Sequence, residues 1–152
     1  MTYRTALDRL GALVVPGVTN YPMTALPPTL DRAHLPALLV LPGEAEGDRL
    51  FAERGAGFTA LAFQNGPRTL SVTVTHLLLT APVQMGVGAR AHLPELIDHI
   101  DAYLLAMSAD VTLGGVLVEP ARVGVEPGEV RYGGGEYHGC AFRHRWTLEV
   151  AP

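Results

Sequence analysis

Cys140 is the residue most suited to nucleophilic chemistry, and His138 and His144 flank it. A thiol attacks as its thiolate, so a neighbouring imidazole could activate it. On a strand, residues two apart point the same way, yet this spacing does not bring a base onto the thiol, and no orienting carboxylate is implied. A buried cysteine beside a sheet is the commoner explanation. His92, Glu95 and His99 fall at i, i+3 and i+7, on one helix face, and are ligand types that zinc accepts. Pro94 interrupts the spacing and no further ligand follows, so a solvated helix face accounts for them better. Gly133-Gly134-Gly135 lacks the G-x-G-x-x-G spacing of a phosphate loop and sits between strands, where glycines make a turn or bulge. His76 alternates with Val74 and Leu78, as a core histidine would. All eleven basic residues are arginine, which excludes a P-loop lysine, a Schiff-base lysine and a lysine general base. No acid–base pair, metal cluster or cofactor fingerprint remains, and the residues point away from an enzyme.

A second constellation does not need chemistry to be useful. From Glu136 onward the alternation is clean: Phe142, His144, Trp146, Leu148 and Val150 face one way, and Arg143, Arg145, Thr147 and Glu149 the other. With Arg131 nearby, the outer row is either a solvated sheet face or an interface where arginine forks meet carboxylates of another subunit. A low charged fraction, 17%, favours a covered face.

These residues require a frame. Residues 3–14 carry Tyr3, Ala6, Leu7, Leu10, Leu13 and Val14 at helical spacing, and Pro16-Gly17 stops the helix. Residues 18–36 hold four prolines and predict an extended connector, with at most a short turn near 31–34, that could lie as an arm on a neighbouring subunit. Residues 37–41 form an apolar run suited to a buried strand, and 44–54 a loop or short helix. Two strands at 57–64 and 68–80 flank Asn65-Gly66, a strong hairpin signal. A second helix is predicted at 93–108, with Leu93, Leu96, Ile97, Ile100, Leu104 and Met107 as its buried stripe. Two long extended segments close the chain, from 115 and from 136, with Pro120 marking an edge or bulge. The order predicts an α+β fold: a mainly antiparallel sheet of about five strands, with the two main helices packed on one face.

At 152 residues and 48% hydrophobic the chain suits one domain, residues 1–152, able to form its own core without disulfides. A single cysteine and no signal-like N-terminus fit a cytoplasmic site of assembly, and no apolar run is long enough to span a membrane as a helix. The formal net charge of −4 gives no basic footprint for nucleic acid.

Taken in order, three segments resemble the tail terminator (tail completion) family of long-tailed bacteriophages. They are the opening helix ending in Val14-Val15-Pro16-Gly17-Val18, the run from Pro28-Thr29-Leu30 through Leu35-Pro36-Ala37-Leu38-Leu39-Val40-Leu41-Pro42-Gly43, and the close. The close is Val130-Arg131-Tyr132-Gly133-Gly134 followed by Tyr137-His138-Gly139-Cys140-Ala141-Phe142. The resemblance covers nearly the whole chain and lies in pattern and element order, and the Pro-rich connector is expanded relative to a minimal version. It implies a virion protein assembled in the host cytoplasm. Such a protein forms a homo-oligomeric ring, typically a hexamer, that caps the tail tube, ends its polymerisation and joins it to a neck or head-completion protein. DNA would pass through the lumen without sequence-specific binding, which a negative protein suits, and no cofactor or metal is implied. The subunit or partner contacts are expected at Arg131, Tyr132, Glu136, Tyr137, Arg143, Arg145 and Glu149. A neck or head-completion connector is the near alternative, and a small-ligand-binding or enzymatic α+β domain the alternative of another class.

Overall fold

The two longest strands among the described residues set the architecture. In the computed structural model, which describes residues 2–42, 58–61, 68–86 and 88–150, β4 (Arg68–Pro82) and β6 (Gly135–Val150) pair antiparallel over almost their full length. Outside them lie β2 (Ala37–Pro42) with β1 (Thr19–Tyr21) on one side and β5 (Arg122–Tyr132) on the other, in the order β1-β2-β4-β6-β5. β3 (Phe58–Leu61) pairs with the first part of β4, on the edge that β2 occupies further along. The fold is therefore α+β with a mainly antiparallel sheet, as the pattern predicts, and with one parallel pair, β1 against β2. The Asn65-Gly66 turn and the 44–54 segment lie outside the described residues, while the antiparallel pairing of β3 with β4 is that of the expected hairpin.

Helices α1 (Thr2–Gly11) and α2 (Leu93–Ser108) both cover one sheet face. There Ala6, Leu7 and Leu10 of α1 and Leu96, Tyr103 and Met107 of α2 meet Val72, Val74, Leu78, Cys140, Phe142, Trp146 and Leu148. Two expectations fail in this layer. The first helix ends at Gly11, so Val14 is left 80% exposed; Gly11 lies so close to Pro22 that an added Cβ would come within 2.8 Å of its ring. The buried stripe of α2 runs Leu96, Ile100, Tyr103, Met107, and leaves Leu93, Ile97, Leu104 and Leu105 substantially exposed.

The other sheet face is covered over only part of its area. Leu26, Leu30 and Leu35 of the Pro-rich connector pack on Leu39, Leu41, Leu77, Leu79, Tyr137 and Ala141. Tyr132 donates its hydroxyl to the Pro27 carbonyl and Tyr137 donates to Leu30 O at 3.2 Å. The expected arm thus lies on its own sheet. Its short turn falls at Arg32–His34, capped by the Asp31 side chain, which accepts from the Ala33 amide at 2.8 Å.

The closing segments differ in detail from the sequence reading. Residues 115–118 belong to a turn region that pairs with the sheet at an isolated Leu117–Leu148 bridge, and β5 starts at Arg122. β5 runs unbroken through Pro127-Gly128, which an edge strand tolerates because one side needs no amide donors. Tyr132 and Gly135 pair across a two-residue turn whose glycines both have positive φ, 56° at Gly133 and 82° at Gly134, so the glycine run makes the hairpin bend. Gly139 stands where β4 bulges between Leu79 and Ala81. A Cβ there would lie 1.9 Å from the Leu78 carbonyl oxygen. No rotamer relieves a clash with backbone, so Gly139→Ala is expected to cost about 1–3 kcal/mol or more of stability by forcing the central strands apart. Urea unfolding of the variant measures it; a variant as stable as the parent would show that the strands yield freely.

Candidate functional site

Among the described residues, three places gather polar side chains. The first is buried between α2 and the sheet. His76 on β4 pairs with Phe142 and His144 on β6 with Val74, so the two imidazoles are diagonal neighbours two residues apart, and Tyr103 of α2 drops its hydroxyl between them. Tyr103 Oη lies 2.9 Å from His76 Nδ1 and 2.6 Å from His144 Nε2, while its ring stacks on Phe142. His76 Nε2 is 2.8 Å from Asn20 Oδ1, Asn20 Nδ2 donates to the carbonyls of Leu10 and Leu13, and Trp146 Nε1 donates to His144 Nδ1.

The proton positions follow from the two ends. Trp146 can only donate, so His144 Nδ1 accepts and its Nε2 carries the hydrogen, which goes to the Tyr103 oxygen. At the other end Asn20 presents its oxygen, so His76 Nε2 donates and Nδ1 accepts the Tyr103 hydroxyl proton. Every group is used once, with both histidines neutral. The chain ends on the Leu10 and Leu13 carbonyls where α1 stops, and so ties α1, α2, β4 and β6 together. Burial holds both imidazoles neutral: His144 is pushed down to about 4, and His76 well below its ordinary value by burial and then by the nearby His144. His76, Tyr103 and His144 are 1% exposed or less, so no substrate reaches them; their work is structural.

Cys140 sits in the same layer, fully buried, and burial pushes its thiol up to about 11. It stays protonated at neutral pH, and both ring nitrogens of His144 are committed elsewhere. A Cys140 nucleophile has no support here.

The second place is an open groove of about 390 Å3 beside the start of α2, lined by Arg32, Thr80, Gln84, His92 and Glu95 among others. His92 stacks on His138 with ring centroids 4.7 Å apart, and the Nε2 atoms of both are buried without a hydrogen-bond partner among the described residues. His99 turns instead to Glu95, 3.5 Å away. His92, Glu95 and His99 therefore do not converge, and among the described residues no group of three or more His, Cys, Asp or Glu side chains is placed to hold a metal ion.

The third place is the part of the second sheet face that no described residue covers. Arg143 and Arg145 project there from β6, as their alternation with His144 and Trp146 requires. Arg143 is ion-paired with Glu126 on β5. The antiparallel register sets Arg122 of β5 directly opposite Arg145, and these two arginines with Arg143, Val123 and Gly124 line a shallow cleft of about 330 Å3. Like charges directly opposite on a sheet repel, and neither Arg122 nor Arg145 forms an ion pair among the described residues. Thr147 donates to Glu119 at 3.0 Å, and Glu149 is exposed at the end of the same row.

The seven residues expected at a contact thus separate. Arg143, Arg145 and Glu149 lie on the open face. Arg131 and Glu136 pair with each other at 2.9 Å beside the hairpin turn, both exposed, while Tyr132 and Tyr137 bond the chain's own connector. Sequence reasoning misses Arg122: its partner is fixed by the register of β5 on β6, and no local pattern near Arg122 encodes that register. None of the described helices is long and apolar enough to cross a membrane. Compared with protein-family models and with curated proteins, the chain has no match in either.

Proposed function

We propose that this chain is a structural assembly protein that forms a ring at the end of a phage tail tube, stops tube growth and joins the tail to the neck. The observation that carries the reading is the open arginine face. Among the described residues, Arg122 and Arg145 stand opposite one another with no carboxylate ion-paired to either, on a sheet whose other face packs against the chain's own helices and whose near face is partly covered by its connector. A surface of this kind is stabilised by an acidic partner. The α+β element order is also the level at which the resemblance to tail terminators lies.

The test uses the whole chain with polymerising tail-tube protein. Growth should stop at substoichiometric amounts of added chain per tube subunit, with a ring visible at one tube end by negative-stain electron microscopy. Tubes that grow unaltered, with the chain bound instead to a neck or portal-side protein, would favour the head-completion alternative. A small-ligand reading is favoured by one feature, the groove with the stacked His92 and His138. Their Nε2 atoms would report a ligand as shifted imidazole resonances.

A further inference from the structure

Arg122 and Arg145 repel each other unless something acidic lies between or above them, and the same molecule carries a matching pair. On α2, Asp98 and Asp101 are exposed and form no ion pair among the described residues. Three residues apart on a helix, their Cβ atoms stand roughly 5–6 Å apart. Arg122 and Arg145, directly opposite on neighbouring strands, have Cβ atoms roughly 4.5–5.5 Å apart. The two pairs therefore match in spacing as well as in charge, and a guanidinium can take a carboxylate through two parallel bonds.

The surroundings match too. Leu105, 74% exposed, continues the same helix face one turn beyond Asp101, and the exposed Ile97 and Leu104 border that face. Opposite, Gly124 contributes no side chain to the arginine cleft, and arginine stems offer apolar surface along their length. Bringing the two together would remove Leu105 from water and raise the strength of the ion pairs by partial desolvation.

We propose that copies of this chain dock head to tail, the Arg122–Arg145 pair of one copy holding the Asp98–Asp101 pair of the next. The patches lie on opposite sides of the sheet, because α2 packs on the face of Phe142 and His144 while Arg145 projects from the other. Each copy then offers one patch forward and one behind. Such a contact is heterologous, and it closes into a ring when the rotation between copies allows. This rests on the assembly reading above and names the contact within it.

Sedimentation velocity of the full chain reads the outcome at low and at high salt. The parent should associate, and more weakly at high salt because the contact is ionic. Arg122→Glu with Arg145→Glu should weaken association on the order of 100-fold or more, and so should Asp98→Arg with Asp101→Arg, as close interfacial charge pairs do. The first double variant is acidic at both patches and the second basic at both, so each repels its own copies. Mixed in equal amounts, the two should associate again in alternation, because every joint between unlike copies then brings an acidic patch to a basic one. The chain carrying all four changes should likewise associate, with the charges of the joint exchanged. All four positions are solvent-facing, and thermal melts check that each variant is folded. An associating parent whose double variants associate equally well would overturn this contact and leave the ring reading standing. Double variants that stay apart in the mixture would overturn the pairing of these two patches in the same way. A parent that stays monomeric at all concentrations would overturn both the contact and the ring.

Discussion

Acidification from pH 7 toward pH 4 is expected to strip this protein of much of its stability, through two histidines that the fold holds neutral. In the unfolded chain an imidazole takes a proton near 6.5, whereas His144 in the folded chain does so only at about 4. Between those values the unfolded state binds more protons, so stability rises with pH. The contribution is fully present above about 6.5 and is lost progressively as pH falls toward about 4. For His144 alone the difference amounts to about 3 kcal/mol. His76 is shifted in the same direction, first by burial and then by His144. With both titrating, the slope near pH 5 should be steeper than one imidazole alone would give, against a total of roughly 5–15 kcal/mol for a domain. Protonation also breaks the bonding pattern. His144 Nδ1 would then meet the Trp146 N–H as one donor facing another, and His76 Nδ1 would no longer accept from Tyr103. Urea unfolding at several pH values between 7.5 and 4.5 measures the slope. His144→Gln should reduce it by about half, since one of the two shifted groups is gone. A stability that stays flat across this range, or rises as pH falls, would show that these imidazoles are not held neutral by the fold.

The second large effect is expected at Tyr103, for the loss of a single oxygen. Tyr103→Phe keeps the ring and its stacking on Phe142, but it leaves the His144 Nε2–H without an acceptor and His76 Nδ1 without a donor. Neither histidine can escape by moving its proton to the other nitrogen. His144 Nδ1 already accepts from Trp146, and His76 Nε2 must keep its hydrogen for Asn20 Oδ1. Two buried groups are stranded together, each at a cost of roughly 1–3 kcal/mol, so the variant should lose about 2–6 kcal/mol. Equilibrium unfolding at pH 7.5, where both histidines are neutral in either state, isolates this loss from the acid effect. A loss below about 1 kcal/mol would mean that water or a shift of α2 satisfies the pair. The same variant should leave the arginine face intact, because Tyr103 acts on the helix-covered side of the sheet.

The two effects share a physical origin. The polar chain from Trp146 to Asn20 is satisfied in one arrangement of hydrogens only, which makes it stabilising when complete and costly when any member is altered. It also fixes where α1 ends, since Asn20 reaches the carbonyls of Leu10 and Leu13.

Much of this protein is determined by the sequence alone. The strict alternation from Phe142 to Leu148 defines both faces of β6, because side-chain period two leaves no other arrangement for a strand with one buried face. The same logic places His76 in the core between Val74 and Leu78, and the limits of α2 at 93–108 follow from its apolar spacing. What periodicity cannot decide is the rotation of α2. Leucines and isoleucines lie around most of that helix, so several stripes are nearly equal in apolarity. The choice falls to Tyr103 because its hydroxyl completes the His76–His144 pair, a partnership between residues far apart in the chain. The parallel β1 is hidden for a related reason: three residues inside a proline-rich connector carry no strand signal of their own, and they pair only because Ala37, Leu38 and Leu39 present an edge. The arginine face shows the division most clearly. Alternation puts Arg143 and Arg145 on the outer side of β6, but only the register of β5 brings Arg122 opposite Arg145, and among the described residues it is the packing of the connector that covers the Leu39, Leu77 and Tyr137 part of this face. Local pattern determines which way a side chain points; what it meets there is decided by strand register and by what packs across the sheet.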